Sequence, residues 1–251
     1  MQEISHASYK SYSFVHGNQM EGIRKKRDIA AGKRPIIGTI DSWQQKIVAS
    51  GARMKVLLSI SDIVKKQKHI LLLQQSMCAT QLQLQQVLTG DSQPGFVNTI
   101  GGPWIPRVKH QIKHEEAKIT ELISDVNEHD VHIISSRRLL EGVDEPMPEG
   151  MDTRLKTIKH IRLSQKKIQD FQKVVRCLQN GITKINNPQQ TNQEIDSLIT
   201  WIQDTNNELS RVIHSQKVLS PDEEHEIRNE HHSTVLKIND EKNRASERFF
   251  L

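Results

Sequence analysis

Ile112, Ile119, Val126, Ile133 and Leu140 stand seven residues apart without a break, and Ile161, Ile168, Val175 and Ile182 repeat the pattern further along. A spacing of seven brings a side chain back to nearly the same side of an α-helix every two turns. A chain built this way lays an aliphatic stripe along each helix and must bury it against another helix. The later run has a companion row, Ser164, Phe171, Leu178 and Ile185, and the earlier one a weaker companion, Glu115, Leu122, His129 and Ser136. These rows predict a coiled-coil seam. β-Branched residues on both of its positions favour three or more strands over two. The expected oligomer seam is therefore Ile112, Ile119, Val126, Ile133, Leu140, Ile161, Ile168, Phe171, Val175, Leu178, Ile182 and Ile185.

Composition supports helices over other fold classes. Hydrophobic residues are 35% of the 251, aromatics only 4%, and charged residues 26%. Such a chain covers narrow stripes but lacks the large side chains of a thick core. No segment alternates with the period of a strand. The expected fold is all-α: an elongated helical bundle or coiled coil of about five helices behind an extended N-terminal arm.

The arm, residues 1–38, has no apolar period. It holds seven basic and three acidic residues, a net of +4 against +5 for the whole chain. Arg24, Lys25, Lys26, Arg27, Lys33 and Arg34 carry most of that charge. A long helix is expected over 39–90, with Ile40, Trp43, Ile47, Met54, Leu57, Val64, Leu71, Cys78 and Leu82 on its stripe and Gly51 its one interruption. If straight it would extend roughly 75 Å. Residues 91–106 contain PGFVNTIGGPWIP and predict an apolar Gly/Pro loop bearing Phe96, Ile100, Trp104 and Ile105. Residues 107–186 read as an antiparallel hairpin turning at EGVDEPMPEG. Residues 187–251 read as a C-terminal helical pair, with start signals at Thr191/Glu194 and at Ser220, Pro221 and Glu223. The strongly basic helix 151–185 is expected to face the acidic segments that follow it.

No pattern for catalysis is present: no phosphate-cradling Gly-Lys-Ser/Thr, no Gly-x-Ser-x-Gly and no CxxC pair. The chain is expected to be non-enzymatic, with no cofactor, no metal and no small-molecule substrate. His110 and His114 are one turn apart, but Lys109 and Lys113 beside them oppose a cation. His129 lies on the seam and is a candidate pH-sensitive position, because protonation near neutrality would place charge in a packed interface. Cys78 and Cys177 both fall in helical patterns and predict buried free thiols. With them goes a reducing compartment such as the cytoplasm, or a particle assembled there. No run approaches the ~18 apolar residues of a membrane span, and MQEISHASYKSYSF lacks the apolar core of a signal peptide.

Two resemblances bear on role. EIDSLITWIQDTNNEL (194–209), with Trp201 among aliphatics, resembles the first helix of a spectrin-type three-helix repeat. LSPDEEHEIRNEHHSTVLKINDEKN (219–243) is similar to the acidic start of a later one. This covers about a quarter of the chain and implies a cytoskeletal adaptor or tether. The order of arm, helical stalk and apolar loop is similar to spike or stalk proteins of non-enveloped viruses, which implies a virion component. The principal expectation is a coiled-coil structural or assembly protein: a homo-oligomeric scaffold, stalk or particle component anchored to other structural proteins by its basic arm. The alternative is a nucleic-acid-binding assembly protein using the arm and helix 151–185. Membrane contact through the 94–106 loop is a further, weaker expectation.

Overall fold

The computed structural model describes residues 34–90, 94–182 and 188–249, with side chains over 41–90, 104–182 and 189–247. Five helices make up this structure: α1 (Arg34–Thr89), α2 (Pro94–Gly142), α3 (Met151–Gly181), α4 (Pro188–His214) and α5 (Pro221–Phe249). No strand occurs among the described residues. The expected arm lies largely outside them, Arg24, Lys25, Lys26, Arg27 and Lys33 included, and Arg34 is the first helical residue.

The expected loop is replaced by helix from Pro94 onward. Proline at a first helical position loses no bond, because that N–H has no partner inside the helix. Pro103 and Pro106 do interrupt the ladder of bonds. Against that cost, Trp104 and Ile105 pack onto the core and Val108 is buried in it. Phe96 and Ile100 fall outside the described side chains. Gly90, at φ 78°, supplies the left-handed residue that ends α1. At the start of α5, Ser220 N–H donates to Glu223 Oε2 (2.8 Å) and Glu223 N–H to Ser220 Oγ (3.2 Å), a reciprocal capping box.

Ala52–Ile227 form one compact unit. Within it α2 runs antiparallel to α1: Lys66 pairs with Asp125 (2.6 Å) and Ser76 with Glu115 (2.9 Å). Antiparallel to α2 in turn, α3 pairs Arg162 with Asp130 and Arg176 with Glu116. Along α4, Gln85 reaches Asn192 and Cys78 reaches the Ile199 carbonyl, so α4 opposes α1. The order is up-down-up-down, with α1 and α3 parallel.

Two cores flank the α1–α3 contact. On one side α2 contributes Ile112, Ile119, Val126 and Ile133, packed with Ile60, Ile63, Ile70, Met77 and Leu84 of α1. On the other, Ile161, Ile168, Val175 and Ile182 of α3 meet Ile195, Ile199, Ile202, Leu209 and Ile213 of α4, with Leu71 and Cys78 from α1. Period-seven rows on α1 thus face two neighbours at once, Ile63/Ile70/Met77/Leu84 towards α2 and Leu71/Cys78 towards α4.

Between the cores runs a third row, of glutamines. Gln67 donates to the Ile158 carbonyl (3.0 Å) and Gln165 to that of Gln67 (2.7 Å). Next, Gln74 donates to Gln165 O (2.6 Å) and Gln172 to Gln74 O (2.8 Å). Gln81 then donates to Gln172 O and Gln179 to Gln81 O, both at 2.8 Å. Every donor in this zipper is at most 2% exposed. Five of the six amides are only half served, however. The Oε1 atoms of Gln67, Gln74, Gln81, Gln172 and Gln179 are buried without a partner. Each unmet acceptor costs about as much as a net hydrogen bond contributes, so the ladder adds little stability beyond what leucines would give. It bears on alignment only at its ends, because the acceptors are main-chain carbonyls and the row repeats every seven residues. A slip of one heptad would put Gln67 between Met151 and Ile158, or Gln179 beside Leu88, opposite apolar residues rather than a glutamine.

The second compact unit comprises residues up to Gly51 and from Arg228. In it Trp43, 9% exposed, donates from Nε1 to Glu241 (2.8 Å), and His231 pairs with Ser50 (3.1 Å). Gly51 permits this approach, since a Cβ there would sit 3.2 Å from His231 Cε1. Of the acidic C-terminal segments, α4 does lie against basic α3, through the aliphatic core they share, while the ion pairs of α3 go elsewhere. Arg162 and Arg176 pair with α2, and Glu224 of α5 pairs with Lys65 of α1 (2.5 Å).

Gln172→Glu would bury an unpaired carboxylate in the zipper and is expected to cost about 3–5 kcal/mol of unfolding free energy. Gln172→Leu preserves volume and leaves the Gln74 carbonyl its helical bond, so it is expected to cost no more than about 1.5 kcal/mol. Urea unfolding of the two variants checks this; equal costs would place Gln172 in water.

Candidate functional site

The rows assigned above to an oligomer seam lie inside the single chain's bundle. Ile112, Ile119, Val126, Ile133, Leu140, Ile161, Ile168, Val175 and Ile182 are all buried by helices of the same chain. Phe171 and Leu178 are half-buried against the α3–α4 core, and Ile185 lies outside the described residues. Phe171 meets Trp201 edge-on at 4.7 Å, and the Lys167 ammonium lies 4.8 Å from the Trp201 ring centre. His129 is half-buried, 6.1 Å from the ring of His132. Among the described residues no group of three His, Cys, Asp or Glu is placed to hold a metal. Nor is any helix among them long and apolar enough to cross a membrane.

The two cysteines differ. Cys78 is buried on the α1–α4 contact, with Sγ 3.9 Å from the Ile199 carbonyl. Burial pushes its thiol up to about 11. Cys177 is exposed, contrary to the expectation for it. It lies two residues past the core position Val175, on the outer side of α3, where the period alone would have placed it.

Chemically distinctive groups gather where the first turns of described α2 side chains meet the end of α3. A cleft of about 280 Å³ is lined by Leu84, Lys109, His110, Ile112, Lys113, Arg176, Gln179 and Asn180. Its floor is apolar, because Leu84 and Ile112 are each 1% exposed. Its rim is cationic. Among the described residues Lys109 and Lys113 make no ion pair. Arg176 has one counter-ion: Nε lies 2.8 Å from Glu116 Oε2, out of line for a hydrogen bond, and Nη2 donates to Oε1 at 3.3 Å. Gln179, the last rung of the zipper, lines the same cleft and is 2% exposed, with its Oε1 unpartnered. The polar lining, Lys109, His110, Lys113, Arg176, Gln179 and Asn180, offers cationic charge and hydrogen bonds and no carboxylate.

Nearby, Glu115 accepts from Ser76 (2.9 Å) and Gln111 (3.2 Å), leaving Oε2 buried without a partner. Several large apolar side chains are exposed instead of buried. They are Val131, Ile134 and Leu139 on α2, Leu163 and Val174 on α3, Leu72 on α1 and Leu236 on α5. Val131 and Leu163 each follow directly on a member of the Asp130–Arg162 ion pair. No family model matches the sequence, and comparison with curated proteins and with solved structures returns no significant match.

With a thiol-reactive reagent at pH 8, the native protein is expected to lose one thiol, Cys177, and the denatured protein two. Reaction of both at equal rates in the native state would contradict the burial of Cys78.

Proposed function

We propose that this chain is a non-enzymatic assembly protein: a helical bundle that self-associates and joins other structural proteins as a scaffold, stalk or particle component. The observation that carries the reading is how the fold distributes its apolar residues. Among the described residues the interior is filled by aliphatic rows and laddered glutamines. On the outside, Val131 (60% exposed), Ile134 (51%) and Leu163 (59%) flank the α2–α3 pairing. Because the heptad rows are buried within the chain, contact between copies falls to these exposed side chains. Apolar groups gathered on one part of a charged surface mark a place where surfaces meet. The basic arm, residues 1–38, serves in this reading as the anchor to a partner surface, and coiled-coil extension of the bundle between copies as its supporting geometry.

Light-scattering mass is the test. The 28.8 kDa chain is expected to form an oligomer that the double variant Val131→Lys/Ile134→Lys reduces to a monomer with unchanged helicity. A wild-type monomer at all concentrations would remove the proposal. Binding to RNA with a steep salt slope, lost on deleting residues 1–38, would favour the nucleic-acid-binding alternative instead.

A further inference from the structure

We infer that the outer face of α3 and α4 is a two-fold contact between copies of this chain, with α3 of each copy lying on α4 of the other. This rests on the assembly reading and deepens it, adding a second face to the one that carries Val131 and Ile134.

The apolar part comes first. Leu163 and Val174 are 59% and 43% exposed. With Lys167 between them they follow at spacings of four and seven, so the three share one side of α3. That side is the one towards α4. The Lys167 ammonium lies 4.8 Å from the centre of the Trp201 ring, and Phe171, one turn further, meets Trp201 edge-on. Both rings are only half-buried, so the groove between the two helices stays apolar out to its surface.

Charge decides what fits there. α3 carries eight Lys and Arg against two Asp, and α4 carries four Asp and Glu against one Arg. The two helices share a core, yet among the described residues no ion pair joins them. Lys167 lies on Trp201 instead, and Asp204 and Glu208 are exposed with no counter-ion among the described residues. Asp170, the acid on this side of α3, is already paired with Lys166 (3.5 Å). A partner must therefore bring carboxylates to α3 and an ammonium group to α4. A second copy has both, on neighbouring helices.

The levels also match. A two-fold axis parallel to the helices sets α3 of one copy on α4 of the other and leaves every residue at its own height. α3 and α4 are antiparallel, with Phe171 level with Trp201. One turn along, Lys167 is level with the stretch from Asp204 to Glu208. Lys167 of one copy thus comes between Asp204 and Glu208 of the other, and Val174 comes beside Trp201. Each contact occurs twice. Exposed ion pairs add little binding and mainly select the partner. The face therefore acts on chains already joined through Val131 and Ile134 and does not hold two chains alone.

Light-scattering mass of the full chain tests this with Lys167→Glu, with Asp204→Lys/Glu208→Lys, and with the two variants mixed in equal amounts. In each variant alone the contact brings like charges together. Its mass is expected to fall to about half that of wild type, because losing an isologous contact halves a closed assembly. In the mixture, a contact between unlike copies is complementary in both of its halves, and the mass is expected to return to that of wild type. Circular dichroism is expected to be unchanged throughout. A wild-type oligomer whose mass either variant keeps would overturn this inference and leave the assembly reading standing. A mixture no heavier than its separate components would do the same. A wild-type monomer would remove both.

Discussion

The contact between α1 and α3 determines how everything else in the Ala52–Ile227 unit is placed. Two parallel helices lie side by side, and each glutamine of one donates to a main-chain carbonyl of the other, alternately, from Gln67 to Gln179. A backbone carbonyl already engaged in its helix has a second lone pair, and the ladder uses it. With α1 and α3 joined in this way, α2 and α4 can only lie in the two grooves either side, and each groove becomes a separate aliphatic core. A seam of leucines would hold the pair as firmly. Both kinds of row repeat every seven residues, so the glutamines disfavour a shift of seven only where their rows end, at Gln67 and Gln179. The unpartnered Oε1 atoms are the cost of placing amides in this contact.

The same geometry connects fold to surface chemistry. The ladder ends at Gln179, next to the cleft where Lys109, Lys113 and Arg176 converge. This last rung also reaches Gln85 Oε1 at 3.4 Å, and its own Oε1 is buried without a partner, as in Gln67, Gln74, Gln81 and Gln172. Elsewhere the bundle shows solvent charged residues, punctuated by Val131, Ile134 and Leu163.

Helices, their order and much of their burial were legible in the sequence. The period of seven in Ile112–Leu140 and Ile161–Ile182 named the residues that are buried. Ser220, Pro221 and Glu223 named a helix start that the structure shows bond for bond. Periodicity identifies a buried stripe but not its partner: rows read as a seam both within the hairpin and between chains face helices of the same chain. The glutamines at 67, 74 and 81 and at 165, 172 and 179 share the same period. A polar residue at that spacing reads as a solvated face until a second row of the same kind is placed opposite. The 94–106 segment was misjudged because proline and glycine weigh heavily in local reasoning, whereas burial of Trp104, Ile105 and Val108 is a tertiary gain. The cleft was hidden for a related reason. Lys109 and Lys113 were visible as neighbours of His110 and His114, and Arg176 as one of many basic residues on α3. Only the antiparallel register of α2 and α3 brings them together.

Side-chain amide hydrogen exchange, followed by NMR on the assigned glutamine carboxamides, examines the ladder most directly. The Nε2 protons of Gln67, Gln74, Gln81, Gln165, Gln172 and Gln179 should exchange far more slowly than those of an exposed glutamine such as Gln83. Exchange of all of them at the exposed rate would show that α1 and α3 are not joined in this way, and the placement of both cores would fall with it.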